Sequence, residues 1–392
     1  GLFGWYFLSP NTNTPIGETV RNSLPFGSSG ETTGRLTTNN TEGEQSTDGV
    51  SGETDELSVP TNDLFRISSA PVAGSIALTK NGQATVRYVD RATGHIYDAD
   101  LATLLKTKIT NQTLPKVYEA HFKSDGGAVL VRLLKDDSDE VENLSLALTP
   151  PTTSSTTLYT VTSTALRGDI DAVMVGTGNT LYYVLEEAAS IVSSAFNGSS
   201  SKNILTSAFS DWRLALAGSN LVIYTKASAN IPGYAYSLNT LNGSLTKILG
   251  PLNGLTVIPN SSGNKVVYSY VEGGLTKSFA KNLTDNTSNE IAPATLAEKC
   301  VWSTKNANSV YCGAPTTDLG NGEPDGWYRG TTHFSDRIWL FETSNELSEL
   351  LVEPDPTLDV EIDVYEPKLS PNEDYLIFTN KTDLSLWALK LK

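Results

Sequence analysis

Residues 313–336 hold the chain's densest mixture of groups able to do chemistry. Asp325, Trp327, Tyr328, Arg329, His333 and Phe334 stand there among glycines, in Asn321-Gly322-Glu323-Pro324-Asp325-Gly326-Trp327-Tyr328-Arg329-Gly330-Thr331-Thr332-His333-Phe334. Large aromatics in a glycine-rich loop can stack on a sugar or anchor a peptide, and Asp325 and Arg329 can orient what they hold. The same residues have a structural use, with Trp327 and Phe334 folded back as a plug, and the two uses are compatible. His333 is followed three residues later by Asp336, which invites a hydrolase reading. A nucleophilic triad is not expected, because the chain has no Gly-x-Ser-x-Gly elbow and no α/β pattern. His95 and His121 lie in strand-like runs and read as packing residues, so no metal and no cofactor is expected.

Cys300 and Cys312 flank the turn Lys305-Asn306-Ala307. In a symmetric hairpin Cys300 lies directly opposite Cys312, as Trp302 does to Val310. A non-hydrogen-bonded antiparallel pair has Cα atoms about 4.5 Å apart, within disulfide range. A cross-strand disulfide is therefore predicted, and it favours an oxidising location. Asp136-Asp137-Ser138-Asp139-Glu140 and Glu353-Pro354-Asp355-Pro356-Thr357-Leu358-Asp359 are carboxylate clusters of the kind that hold Ca²⁺, but neither has EF-hand spacing. They read as a solvated hairpin tip and a linking loop.

With 392 residues, 39% of them apolar and 18% charged, the chain can bury a large core. The net charge of -16 argues against binding nucleic acid or an anionic membrane surface, both of which need a basic face. Gly1-Leu2-Phe3-Gly4-Trp5-Tyr6-Phe7-Leu8 is apolar and carries a Trp-Tyr pair typical of a membrane–water boundary. Residues 1–8 are expected to be the outer end of a membrane anchor or signal segment, pointing to export. Residues 9–62 are rich in Ser, Thr, Gly and Asn and read as a disordered linker with a reach of about 40 Å.

The elements that must position the candidate site are short strands. From residue 63 onward, alternating apolar runs are separated by Gly, Asn, Asp, Ser and Pro, and no amphipathic helix is expected. First strands of a repeating unit begin near Val72, Val117, Asp171, Trp212, Leu255, Cys300 and Val364. Most of their spacings lie near the roughly 40–45 residues of a four-stranded blade. Residues 63–392 thus divide into seven units. The last, from Tyr365, has only three strands before the chain ends, and Leu64-Phe65-Arg66-Ile67-Ser68-Ser69 lacks a partner. That early strand is expected to complete the last unit and close a seven-bladed, all-β propeller of four-stranded antiparallel blades.

Leu369-Ser370-Pro371-Asn372-Glu373-Asp374-Tyr375-Leu376-Ile377-Phe378 resembles the repeat of TolB-like, WD40-like bacterial propellers, where a Ser-Pro-Asp-Gly turn joins the first two strands of a blade. Lys123-Ser124-Asp125-Gly126-Gly127 is a looser copy. The layout also resembles exported bacterial propellers with one N-terminal membrane segment and a polar stalk. The resemblance implies a fold and no site residues. The expected function is a non-catalytic, extracytoplasmic interaction module at the cell surface or in the periplasm, tethered by its N-terminal segment. Its head is expected to be monomeric and to bind a protein or glycan on the face bearing the residue 313–336 loop. The alternatives are a glycosidase- or lyase-like propeller enzyme with its site on that face, and a structural envelope component.

Overall fold

The computed structural model describes residues 63–135, 140–153, 155–354, 356, 358 and 360–391. The expected anchor (1–8), the linker (9–62), the acidic run 136–139, and Asp355 and Asp359 of the second carboxylate cluster lie outside them. The described residues form seven four-stranded antiparallel sheets. Their inner strands are Val72–Lys80, Val117–Phe122, Ile170–Val175, Trp212–Ala217, Thr256–Pro259, Cys300–Trp302 and Val364–Leu369, of blades 1 to 7 in turn. Each begins within one residue of the position expected from the repeat.

The strands form because their alternation serves two neighbours at once. Successive side chains point to opposite faces of a strand. In Ala128–Leu134, Val129, Val131 and Leu133 pack toward blade 1, while Ala128 and Leu130 pack toward blade 3. In Thr180–Leu185, Leu181, Tyr183 and Leu185 turn back to blade 2, and Tyr182 and Val184 face blade 4. The core is therefore a set of inter-blade clusters running around the ring.

Closure follows the expected route. Leu64–Ser68 pairs antiparallel with Leu386–Lys390, placing Phe65 opposite Ala388 and Arg66 opposite Trp387. Phe65 and Ile67 enter the cluster between blades 7 and 1, with Val86, Tyr88, Ile377 and Leu386. Cys300 stands opposite Cys312 in blade 6, Trp302 stands opposite Val310, and the two sulfurs are bonded.

A short α-helix, Asp325–Arg329, interrupts the otherwise all-β pattern, with a 3-10 turn at Ala297–Lys299 before blade 6. Five residues make under two turns, too few for a hydrophobic period to show.

Ile67 is 2% exposed. Ile67→Ala should lower stability in urea unfolding by about 2–4 kcal/mol, the usual loss for an emptied core site. A variant as stable as the parent would show that the first strand does not seal the ring.

Candidate functional site

The loop joining the second and third strands of blade 6 occupies residues 316–335, between Ser309–Pro315 and Asp336–Glu342. In a four-stranded blade this loop lies on the same face as the connections between blades, here called the linker face. The helix Asp325–Arg329 crosses that face as a cap. Glu323 begins it by accepting the Trp327 backbone N–H at 2.8 Å, and Gly330 ends it in the left-handed conformation at φ 70°. Gly326 has no room for a side chain, since a Cβ there would lie 2.4 Å from Thr332 Oγ1.

The cap is fastened at both ends of its span. Asp325 accepts the backbone N–H of Ala229, from a loop of blade 4, at 2.7 Å. Trp327 is 1% exposed and packs with Leu296, Leu319 and Phe334. Its indole N–H donates to both carboxylate oxygens of Asp363, at 3.1 Å each, just before blade 7. Phe334 N–H adds a bond to the same carboxylate at 3.2 Å. The helix thus bridges blades 4, 6 and 7.

Beneath Trp327 lies a fully buried charge cluster. Lys299 Nζ bonds Asp336 at 2.8 Å and also Asp363, and its ammonium lies over the rings of Trp327 and Phe334 at 5.3 and 4.7 Å. Burial raises the Asp336 carboxyl to about 6, against the opposing pull of Lys299 and with the added repulsion of Asp363. Asp336 Oδ1 has no hydrogen-bond partner.

The other groups converge from the inner strands. The ladders of blades 1, 2, 3 and 7 each skip register near the start of the inner strand, at 72/74, 117/119, 170/173 and 365/368. Such bulges re-aim side chains, and the residues at the skips include Tyr118, Asp171 and Glu366. Glu366 is held at φ 48°, a left-handed conformation that costs a non-glycine residue about 1 kcal/mol or more.

Charges bind this ring across blades. Arg132 pairs with Glu119 at 2.7 Å and donates to the Ile170 and Asp171 carbonyls of blade 3. Asp171 pairs with Arg213 of blade 4 at 2.9 Å, and Lys368 of blade 7 donates to the Ser75 carbonyl of blade 1. Burial alone raises Glu119, but His121 and Arg132 outweigh it and hold the carboxyl at about 2. Tyr224 donates to Glu298 at 3.1 Å, and burial pushes the Glu298 carboxyl up.

Of the six residues singled out in the loop, Trp327 and Phe334 are buried in the cap, Asp325 is its tie to blade 4, and Arg329 is exposed. Tyr328 is half-buried and faces Glu298 and Tyr224; burial and the Glu298 charge raise its hydroxyl well above the ordinary value. His333 Nδ1 lies 3.6 Å from Asp363, whereas Asp336 bonds Lys299. His121 is polar in its contacts, with Nε2 2.8 Å from Glu119. His95 contacts Thr113. The reading of the sequence missed Glu119, Asp171, Arg213 and Glu298, and also Tyr365 and Lys381, the Lys381 ammonium lying over the Trp327 and Tyr365 rings at 4.8 and 5.2 Å. A signal was present: several inner strands open with a large apolar residue followed by a polar one, as in Val117-Tyr118, Ile170-Asp171, Trp212-Arg213 and Val364-Tyr365.

On the side away from the cap, a cleft of about 950 Å³ lies between blades 2 and 3, lined by Tyr118, Arg132, Arg167, Asp171, Glu186 and Glu187 among others. The linker face is thus covered by the helix over blades 4 to 7 and indented at blades 2 and 3. Among the described residues, no group of three or more His, Cys, Asp or Glu is placed to hold a metal ion.

No family model matches the chain, and no curated protein matches it. Solved structures do. An oligogalacturonate lyase from Vibrio parahaemolyticus aligns with a TM-score of 0.54 at 10% identity over 84% of this chain and 93% of its own. An oligogalacturonate lyase in complex with manganese gives 0.53 at 12%, over 84% and 93%. Virginiamycin B lyase from Staphylococcus aureus gives 0.52 at 12%, over 84% and 99%. At these identities the likeness is one of fold, the seven-bladed propeller.

Asp336 supplies a test of the buried cluster. A carboxyl raised from 3.8 to about 6 binds more protons folded than unfolded across that interval, so its contribution to stability falls as pH rises through it. Asp336→Asn, which mimics the protonated form, should match the parent at pH 3, below both values, and exceed it at pH 8 by up to about 3 kcal/mol. A variant less stable than the parent at pH 8 would show that the ionised carboxylate is the favoured state.

Proposed function

We propose that this chain is a non-catalytic, extracytoplasmic propeller that binds a protein or glycan at its linker face, its head held away from a membrane by the N-terminal segment. The observation carrying this reading is the asymmetry of that face. The cap is tied to blades 4, 6 and 7, the bulges of blades 7, 2 and 3 fall at the polar residues Glu366, Tyr118 and Asp171, and Tyr118 and Asp171 line the cleft between blades 2 and 3. Tyr328 packs beside Trp327 in the cap, and its hydroxyl bonds Glu298. Large aromatic residues beside a few convergent polar groups are the usual make-up of a recognition site. The disulfide supports an oxidising location. No helix among the described residues is long and apolar enough to cross a membrane.

A second reading, a propeller enzyme, draws on one observation. Glu298, raised by burial, and Lys381, lowered by burial, act on each other electrostatically, Lys381 lying over Trp327 and Glu298 against Tyr328, and an acid and a base each displaced toward neutrality are the parts of proton-transfer chemistry.

A pull-down and a glycan array with the head should each be run beside Tyr328→Ala. Binding that falls about tenfold or more in the variant, at unchanged melting temperature, is the expected result. A clean negative on both surfaces would overturn the binding reading. Mass spectrometry of natively exported protein without reduction should find no alkylatable cysteine; two free thiols would remove the support for an oxidising location.

A further inference from the structure

In a four-stranded blade the first-to-second and third-to-fourth turns lie at the end away from the linker face. Where blades 5 and 6 meet at that end, a cleft of about 210 Å³ is lined by Lys265, Lys281, Asp285, Asn289, Thr343 and Ser344 among others. The core between the same two blades is apolar, with Val267, Trp302, Val310 and Phe341, so the polar lining is a property of the cleft and not of the seam.

The charges of the cleft are not balanced within it. Both lysines are half-buried. Lys265 Nζ donates to the neutral side chain of Asn308 in blade 6, and Lys281 has neither a hydrogen bond nor an ion pair among the described residues. Asp285 is engaged by its own turn: its carboxylate accepts the Thr287 N–H at 3.0 Å, the Thr287 hydroxyl at 2.7 Å and the Asn282 amide at 2.9 Å. The Thr287 bonds, more than Lys265, hold its carboxyl below the usual range. Glu342, two residues before Ser344, is taken up by Ser344, Asn306 and Ser309. Two lysines thus line one cleft, and neither is bonded to a carboxylate.

An independent observation comes from Thr343, which is 8% exposed. Its N–H donates to the Asn308 carbonyl at 2.8 Å and its carbonyl accepts from the Asn289 amide at 2.7 Å, yet its hydroxyl has no partner. A buried hydroxyl without an acceptor is unfavourable, and a ligand oxygen that reaches it removes the deficit. Ammonium donors beside hydroxyl and amide groups complement one anionic group on a hydroxylated skeleton.

We infer that this cleft binds a hydroxylated organic anion, a sugar acid or a sugar phosphate, with its charged group on Lys265 and Lys281 and a neighbouring oxygen on the Thr343 hydroxyl. The volume lies below the roughly 300–1,000 Å³ of sites for drug-sized ligands, which limits the occupant to about one sugar unit. A cation would meet two ammonium groups, and an apolar ligand would leave those groups and Thr343 unsatisfied. The net charge of -16 opposes an anion at long range, but salt at 0.1 M screens that field beyond about 10 Å, while the lysines act at contact.

The site lies on the face opposite the proposed recognition surface, so the two readings stand or fall separately. The test is calorimetric titration of the full chain with glucuronate and glucose 6-phosphate, beside glucose, which lacks the charge, and inorganic phosphate, which lacks the sugar. The expected result is that glucuronate or glucose 6-phosphate binds and that glucose and inorganic phosphate each bind at least about tenfold more weakly. The member of the pair that binds distinguishes a carboxylate from a phosphate. Lys281→Gln, at a residue with no partner to lose, should weaken binding about tenfold or more at an unchanged melting temperature. Thr343→Val, which removes the hydroxyl at similar shape, should weaken it about threefold or more. Glucose binding as tightly as the charged sugars, or inorganic phosphate as tightly as glucose 6-phosphate, would overturn the inference. So would the absence of binding by both charged sugars, or a Lys281→Gln variant that binds as the parent does. A loss in Tyr328→Ala equal to that in Lys281→Gln would place the binding at the cap and overturn it as well.

Discussion

A four-stranded blade has two apolar faces and is too small to bury either one alone, so each blade of this protein needs a neighbour on both sides. Val129 and Leu130 illustrate the constraint at the scale of one bond: adjacent in the chain, they belong to cores on opposite sides of blade 2. An open row of seven blades would leave two such faces in water, and at about 25 cal/mol per Å² the exposed surface of even a few leucines and valines rivals the net stability of a domain. Joining the first strand to the last blade removes both faces at once. It also makes the two ends of the described chain part of one sheet, so that the ring opens only by breaking a strand pairing.

The closed ring then sets what its centre can be. Inner strands run in full register in blades 4 to 6 and skip a residue or more in blades 7, 1, 2 and 3. The regular strands lie under or beside the cap, whose Trp327 and Asp325 need fixed anchor points. The bulged strands of blades 1, 2 and 3 lie on the uncovered side, where Tyr118 and Asp171 are turned out of the ladder, and the fourth, with Glu366, follows the cap's anchor Asp363 at the boundary. Rigidity and irregularity are thus divided between the two halves of one face, which is the division expected when a site is built from strand ends on a firm scaffold.

The fold was legible in the sequence because it depends on features that repeat. Turn chemistry recurs at the start of each blade, and the residue at the fourth position of the first turn is left-handed in Lys123-Ser124-Asp125-Gly126, in Asn260-Ser261-Ser262-Gly263 and in Ser370-Pro371-Asn372-Glu373. Glu373 departs from glycine there and is compensated: its carboxylate accepts from the Ser303 hydroxyl and from the backbone and hydroxyl of Thr304, all at 2.7 Å, tying the last blade to blade 6. The disulfide was legible for a similar reason, since hairpin symmetry sets one cysteine opposite the other. The site was only half legible. A loop dense in aromatics announces itself, but Glu298, Lys381 and Arg213 lie far apart in the chain and meet only once the ring is closed. Nothing local marks Glu298 as different from any other glutamate of an acidic protein.

Lys299 shows why the cap lies where it does. A buried ion pair is a poor source of net stability, because desolvation offsets most of the attraction, but it is intolerant of any arrangement that leaves one member alone. Lys299 has no exposed surface, and its two carboxylates sit at the end of the cap loop and at the start of blade 7. Asp363 also takes the Trp327 indole and the Phe334 amide. If the helix shifted along the face, Asp363 would lose these donors while Lys299 stayed buried with two carboxylates and one orphaned oxygen. The apolar contacts of Trp327 with Leu296 and Leu319 tolerate small displacements; the carboxylate does not. The buried charges therefore fix the position of the cap, and with it the spacing between Lys381, which rests on Trp327, and Glu298, which faces Tyr328.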